Sequence, residues 1–289
     1  ALGSVTFICS DKTGTLTENR MRAQGYHLCG RFFSEVPKDH STSEDWEKAL
    51  HVLALNNDVT IGPNGELCGD PTETALVQAA LDAGVEKSAL EQKYPRIAEI
   101  SFSSERGMMS TRHATPEGSL VLVKGAPETV LSLCKDLDPT AELKAVDVMA
   151  KRGFRVLALA YRKVEAKLAG EPLSRLEAGL TLVGFVGLID PPKTEVKAAI
   201  EACSAAGIRV VMITGDHPAT ARAIGEQLGI LGPESEEVLS GKELLDTTDT
   251  ELQHRVRDIA IYARVAPEQK IRIVNALKAA GEIVAMTGD

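Results

Sequence analysis

An aspartate that closes an apolar run is well placed to do chemistry. Here Val5-Thr6-Phe7-Ile8-Cys9 leads into Ser10-Asp11-Lys12-Thr13-Gly14-Thr15-Leu16-Thr17. A strand that stops at Asp11 sets one carboxylate at the lip of a sheet, with Lys12 supplying positive charge and the turn after it freeing backbone N–H groups. Ligands of open α/β sheets gather at the carboxyl ends of the strands, and carboxylates are competent nucleophiles toward phosphorus. The same residues would also make a plain Asp-capped turn, with Gly14 taking a positive φ.

Other strand-like runs end in the same style. Thr214-Gly215-Asp216 follows Ile208–Ile213, and Thr287-Gly288-Asp289 follows Ile283–Met286. Lys270 opens the helical stretch before the last of these runs. In one parallel sheet, these residues and Asp11 would converge on a single crevice. A carboxylate and a phosphate oxygen about 4 Å apart repel by roughly 4 kcal/mol at intermediate dielectric, so in-line attack needs that charge neutralised and the groups aligned. Taken singly, each motif has an ordinary reading: Thr-Gly-Asp is a common turn, and Lys270 suits a solvated first turn.

A second set lies mid-chain: Gly69-Asp70-Pro71-Thr72-Glu73, Phe102-Ser103-Ser104-Glu105-Arg106, Lys124-Gly125-Ala126-Pro127-Glu128 and Gly153-Phe154-Arg155. Neither Gly-x-x-x-x-Gly-Lys-[Ser/Thr] nor Gly-x-Gly-x-x-Gly occurs. The local reading of the first segment is a capping box, with Asp70 as N-cap, Pro71 at the first helical position and Glu73 closing it. Lys124-Gly-Ala-Pro likewise reads as a strand end entering a helix, and Phe102 as a core aromatic.

The elements that must position these residues follow two grammars. With 289 residues, 44% apolar and 25% charged, the chain is globular and long enough for two domains. A net charge of −9 argues against nucleic acid as a partner and against a lasting hold on anionic lipid. The five cysteines (Cys9, Cys29, Cys68, Cys134 and Cys203) show no Cys-x-x-Cys pair and read as reduced thiols, mostly in the core. None of the six histidines has ligand spacing. The longest nearly apolar stretch, 180–189, is too short to cross a bilayer, so the chain is expected to be soluble as given.

Residues 1–10 read as a buried parallel strand. From Met21 short β runs take over, with a hairpin about Gly30 and helices at 43–56, 71–83, 127–134 and 142–151. After Asp190-Pro191-Pro192, helices (193–206, 219–228, 268–280) alternate with strands (208–213, 259–263, 283–286), the signature of a parallel sheet. The fold class expected is therefore α/β, a Rossmann-like parallel sheet formed by 1–20 and 189–289. It is interrupted at 21–188 by an α+β domain with an antiparallel sheet.

The heptad Asp11–Thr17 resembles the phosphorylation signature of P-type ATPases, and Asp11, Thr214, Lys270 and Asp289 resemble the core of the haloacid dehalogenase-like superfamily. The resemblance implies Asp11 as nucleophile, Thr214 and the Gly215 N–H as phosphate donors, and Lys270 as a fixed cation, with Lys12, Thr13 and Asp216 in the same catalytic set. It implies Mg²⁺ held by Asp11, the Thr13 carbonyl, Asp289 and waters. Superfamily phosphatases usually carry an aspartate where Thr13 stands. A threonine hydroxyl does not take a proton from water near neutral pH, so an acyl phosphate on Asp11 is expected to persist, as a pump requires.

All four mid-chain segments occur in the order found in the nucleotide-binding domain of type II P-type ATPases. On that resemblance ATP is the substrate, Phe102 stacks on adenine and Lys124 lies against base and ribose, with Gly125 allowing close approach. Arg155 reaches the phosphates, Glu73 faces the adenine side, and Arg106 completes the Phe102 segment. The family's lysine after that arginine is Gly107 here, which implies a lost contact and weaker nucleotide binding.

Met212-Ile-Thr-Gly-Asp-His217-Pro218 fits the calcium or sodium pumps of type II, and calcium is the cation expected by analogy. The chain then resembles the cytoplasmic part of an integral membrane pump. Its partners would be the actuator and transmembrane domains, Asp190-Pro191-Pro192 would be the hinge, and the fragment would be monomeric. The family's continuation after Asp289 is absent, so the fragment alone is expected to phosphorylate poorly. A free-standing phosphatase with a large cap, or a nucleotide sensor without chemistry, are the alternatives.

Overall fold

A parallel strand buries both faces only between other strands and beneath two layers of helix, so the strand at the start of the chain needs partners from far along it. The computed structural model, which describes residues 4–232 and 237–288, supplies them. The chain divides into two compact units, Ala1–Arg20 with Lys151–Gly153 and Asp190–Asp289, and Met21–Ala150 with Phe154–Ile189.

In the first unit five strands lie in the order Glu237–Ser240, Ile259–Ala263, Arg209–Ile213, Phe7–Asp11, Val284–Thr287. Every pairing is parallel, so all carboxyl ends share one edge. Asp11 stands opposite Ile213, and Ser10 is flanked by Met212 and Thr287. One face carries Phe7, Cys9, Val211, Ile213 and Tyr262, packed with Leu252, Ile273 and Leu277 from helices Asp249–Arg255 and Pro267–Ala279. Helices Val196–Ala205 and Pro218–Leu228 pack against strands Arg209–Ile213 and Ile259–Ala263. Helix Pro218–Leu228 comes so close that a Cβ on Gly225 would sit 2.4 Å from Ile261 Cδ1, and Gly229 ends this helix at φ 74°, the left-handed cap that glycine adopts without penalty.

The second unit is a seven-stranded antiparallel sheet in the order Arg31–Phe33, Arg22–Leu28, Thr181–Ile189, Arg155–Glu165, Gly118–Gly125, Met108–Thr115, Arg96–Ile100. Alternation along Gly118–Gly125 sends Leu120 and Leu122 to a core with Trp46, Leu53 and Leu76 of helices Glu44–Leu55 and Pro71–Asp82. Val121 and Val123 face the opposite way, toward Val130 and Met149 of helices Pro127–Leu133 and Pro139–Lys151. The first hairpin turns at Cys29 (φ 51°) and Gly30 (φ 69°), two successive positive φ values that match the twist of the strands they join.

The architecture is the α/β parallel sheet with an inserted antiparallel α+β unit. Several details differ from the sequence reading. The parallel sheet has a further edge strand, Glu237–Ser240, with short helices Gly241–Asp246 and Asp249–Arg255 after it. This stretch is too short and too rich in charge to stand out as periodic. Helix Lys87–Lys93 was likewise hidden, and Pro139 starts its helix three residues before Glu142. The cysteines are free, but Cys9 alone is fully buried. Cys29 and Cys68 are exposed, and Cys134 and Cys203 half-buried, because Cys29 occupies the hairpin turn and Cys68 ends a two-residue strand. Among the described residues no helix is long and apolar enough to cross a membrane.

Two histidines in the second unit, His51 and His113, are buried. Burial holds the imidazoles of His51 and His113 down at about 4, against opposing pulls from Glu47 on His51 and the Tyr94 carbonyl on His113. Between pH 7 and pH 5 the unfolded chain takes up protons on both rings and the folded chain does not, so stability is complete above about pH 6.5 and falls as the solution is acidified. Urea unfolding is expected to show a loss of about 2 kcal/mol for each ring over that interval, with His51→Gln removing close to half of the slope. A flat profile would contradict the burial argument.

Candidate functional site

At the carboxyl edge of the parallel sheet, Asp11 ends its strand half-buried and accepts from Lys270 Nζ, 2.5 Å from Oδ2. Lys270 lies in the first turn of helix Pro267–Ala279, whose N-terminus is fixed by Gln269: its Oε1 accepts from Ala266 N at 2.9 Å and its Nε2 donates to the Gly241 carbonyl at 2.8 Å. The solvated first-turn reading of Lys270 is therefore replaced by an ion pair. Gly288 closes in from the neighbouring strand, where a Cβ would stand 3.1 Å from Asp11 Oδ2.

After Asp11 the chain makes one wide turn, closed by Thr17 N–H donating to the Lys12 carbonyl at 3.1 Å, with Gly14 at φ 78°. Thr13 is extended and exposed. Lys12 turns inward, only 5% exposed, and pairs with Asp216 at 2.6 Å and Asp190 at 3.7 Å. Asp190, itself 8% exposed, also accepts from Thr17 Oγ1 at 2.5 Å and Arg20 N at 3.2 Å. Lys193 donates from Nζ to the Gly14 carbonyl at 2.6 Å and from its backbone to Leu16. The Asp-Pro-Pro-Lys segment thus clamps the turn that follows Asp11. The sequence reading took Asp190 as a hinge residue and missed this anchoring role. The signal available was a carboxylate at the end of an apolar strand with two prolines behind it.

Thr214 is buried, and its Oγ1 accepts from Asp216 N at 3.1 Å, which leaves the hydroxyl proton for another acceptor. The loop is laced to the next strand's exit through Val265 N to the Thr214 carbonyl and Arg264 N to the Asp216 carbonyl. A side chain at Gly215 would meet nothing within 4 Å, so this turn opens onto free space. Asp289 lies outside the described residues. Among the described residues no three His, Cys, Asp or Glu side chains gather as a metal cage. The donors present, the Asp11 carboxylate and the carbonyls of its turn, are hard oxygens. Such a sparse set fits Mg²⁺, which takes one or two carboxylates and completes its shell with water and phosphate oxygens.

In the second unit Phe102, Arg106, Lys124, Gly125 and Arg155 share one end of the antiparallel sheet. Phe102 and Arg106 lie in the link from Ile100 to Met108, Met108 pairs with Gly125, Gly125 pairs with Ala158, and Arg155 begins that same strand. Phe102 is 56% exposed, a ring left out of the core. Lys124 is 6% exposed and pairs with Glu73 Oε1 at 2.8 Å. Burial lowers its pKa, with Glu73 pulling the other way. Asp70 does cap its helix, accepting from Thr72 N at 2.8 Å. Glu73 leaves the capping box open, giving Oε1 to Lys124 and Oε2 to Asp58 N at 2.9 Å.

Arg106 pairs with Glu177 at 2.6 Å, where Ser110 also donates at 2.5 Å; Glu177 had no sequence signal. Arg155 is exposed at the start of its strand. Gly107 adopts φ 67°, a conformation in which lysine would be strained. A Cβ at Gly125 would fall 2.4 Å from Met108 Cβ and 2.6 Å from the Gly107 carbonyl, so this glycine is required by the neighbouring strand itself.

Residues 45–195 match the family model described as P-type ATPase, cytoplasmic domain N. The chain belongs to the P-type ATPase family. Over its full length it is 40% identical to calcium-transporting ATPase 1 of Bacillus cereus and 39% identical to a calcium-transporting ATPase of Listeria monocytogenes. It is 37% identical to a cation-transporting ATPase of Synechocystis. It spans 33%, 34% and 36% of those three proteins respectively, about a third of the length of its curated relatives.

The Lys12 pocket makes a direct test of the first unit's packing. Lys12→Met leaves Asp190 buried with two hydrogen bonds and no cation, and breaking a buried pair in this way costs about 3 kcal/mol or more. Urea unfolding of the variant is expected to show a loss of that size. A loss under about 0.5 kcal/mol, the range of ordinary surface substitutions, would mean that the pair is not held as described.

Proposed function

We propose that this chain is the catalytic portion of an ATP-driven cation pump, in which ATP bound by the second unit phosphorylates Asp11 in the first. The observation that carries the reading is the Lys270 ammonium, 2.5 Å from the Asp11 carboxylate at the carboxyl edge of a parallel sheet. A carboxylate there faces two opposed demands, since it must attack phosphorus and yet tolerate the approach of phosphate oxygens. A cation held by a helix rather than by a flexible loop offsets that repulsion without reorganising.

An Asp11 oxygen attacks the γ-phosphorus in line, the bond to the bridging oxygen breaks, ADP leaves, and a mixed anhydride remains on Asp11. Thr214 and the Gly215 N–H donate to the transferred group, while Lys270 offsets its charge. Lys12, bound to Asp190 and Asp216, keeps the turn after Asp11 in shape. Mg²⁺, held by Asp11 and the Thr13 carbonyl with Asp289, would supply further neutralisation of the phosphate oxygens. Thr13 offers no base for water, which favours a lasting acyl phosphate over rapid hydrolysis. In the second unit Phe102, Lys124, Gly125 and Glu73 receive the adenosine, with Arg155 toward the phosphates and Arg106 completing the Phe102 segment. The chain would lie on the cytoplasmic face of a membrane, joined to actuator and transmembrane domains, and the names of its relatives favour calcium as the cargo.

Trapping tests this reading in a full-length pump containing this chain. Labelled ATP is expected to leave an acid-stable, hydroxylamine-labile adduct that disappears in Asp11→Asn. In Lys270→Ala, adduct formation should slow by about 10²-fold or more, the scale for losing one preorganised charge-stabilising group. No adduct from the active protein would overturn Asp11 as the phosphoryl acceptor, and steady turnover of p-nitrophenyl phosphate without an adduct would replace the pump with a phosphatase.

A further inference from the structure

Asn56 is fully buried, and its position at the end of helix Glu44–Leu55 is not one that hydrophobic patterning explains. Its own N–H finishes the helix by donating to the Val52 carbonyl at 3.0 Å, and its backbone then leaves the helical region at φ −91°, ψ 69°. The freed carbonyl accepts from Lys124 Nζ. The side chain adds a second acceptor, with Oδ1 3.3 Å from the same ammonium. Nδ2 donates the other way, to the Leu122 carbonyl at 2.8 Å and Thr111 Oγ1 at 3.0 Å. Thr111 in turn donates to His113 Nε2 at 2.9 Å, and His113 Nδ1 donates to the Tyr94 carbonyl at 2.9 Å. A neutral ring with its proton on Nδ1 satisfies both of those bonds.

The side-chain amide is therefore held at its nitrogen end by two strands, and its Oδ1 joins the residue's backbone carbonyl in facing one lysine. An ammonium has three protons and no acceptor. Glu73 takes one, and Asn56 takes another through its carbonyl. The third points among Asn56 Oδ1 and Met109 Sδ, 3.1 Å away. Lys124 thus has a single well-defined arrangement, in a place where an unmatched buried charge would be costly.

We propose that Asn56 is the positioning residue for Lys124, fixing its ammonium so that this lysine meets a nucleotide as a pre-placed cation rather than a mobile donor. The inference rests on the reading of Lys124 as a nucleotide contact. It adds a residue outside the four segments from which that reading came.

The test uses the chain itself, with MgATP affinity by calorimetry and the Lys124 ammonium followed by ¹⁵N-lysine NMR. In the unaltered protein the Lys124 protons are expected to be visible and slow to exchange with water. In Asn56→Ala that signal is expected to be lost and the ATP dissociation constant to rise about tenfold, with the unit still folded by circular dichroism. The double variant Asn56→Ala with Lys124→Ala should bind no more weakly than Lys124→Ala alone. Thr111→Val, which removes one anchor of the amide, should move both readouts in the same direction by a smaller factor. It serves as the deciding variant if Asn56→Ala does not fold.

A weakened Lys124→Ala beside an unchanged Asn56→Ala would overturn the positioning role, as would additive losses in the double variant or an unaltered ammonium signal. If Lys124→Ala itself binds ATP normally, the nucleotide reading of Lys124 falls, and the positioning claim falls with it.

Discussion

The parallel sheet is arranged so that one carboxylate can sit beside one ammonium at its open edge. Asp11 and Lys270 are 259 positions apart in the chain, and the topology accounts for their meeting. Helix Pro267–Ala279 leaves the strand Ile259–Ala263, two places to one side of Phe7–Asp11, and leads to Val284–Thr287, adjacent on the other side. Its crossover must span the first strand, and its first turn starts at the carboxyl edge where Asp11 ends. Strand order thus delivers the cation. A helix supplies the lysine on a rigid support, which is what electrostatic preorganisation requires.

Elsewhere the protein handles buried charge in the same manner, by pairing it and then tying down the partner. Lys12 pairs with Asp190 and Asp216, and Asp190 is further bound by Thr17 and the Arg20 amide. Lys124 pairs with Glu73, which also accepts from Asp58 N. Arg106 pairs with Glu177, which Ser110 also binds. An isolated ion pair in low dielectric gains little over its desolvation, and supporting hydrogen bonds tip the balance. These pairs therefore say more about where charges are held than about overall stability. In a chain of net charge −9, these cations are each held in place by carboxylates of the chain itself.

Membership in the P-type ATPase family sets this arrangement in context. The relatives are about three times as long as this chain, and the names they carry, calcium- and cation-transporting ATPase, belong to complete pumps. This chain corresponds to about a third of that length, folded as two compact units. The two units rest on different sheet architectures, with Asp11 at the carboxyl edge of a parallel sheet and Phe102, Lys124 and Arg155 at one end of an antiparallel one.

Much of the architecture was legible in the order of residues. An apolar run ending in Asp-Lys-Thr-Gly placed Asp11 at a strand end, the alternation after Asp190 required a parallel sheet, and the shorter β runs between them required something else. Those are local signals, carried by side-chain periodicity and by glycine and proline. Tertiary structure alone decided which charges meet. Glu73 reads locally as the closing residue of a capping box, yet its carboxylate serves Lys124 and Asp58 instead. Lys270 reads as a solvated first-turn residue, yet it binds Asp11. Asn56 and Glu177 carried no motif that tied them to a site, and Asp190 read only as part of a hinge, because a hydrogen bond between residues scores of positions apart leaves no trace in spacing. The physical reason is the same in each case: periodicity records which face of an element is buried, and only the packing of elements records what a polar group finds there.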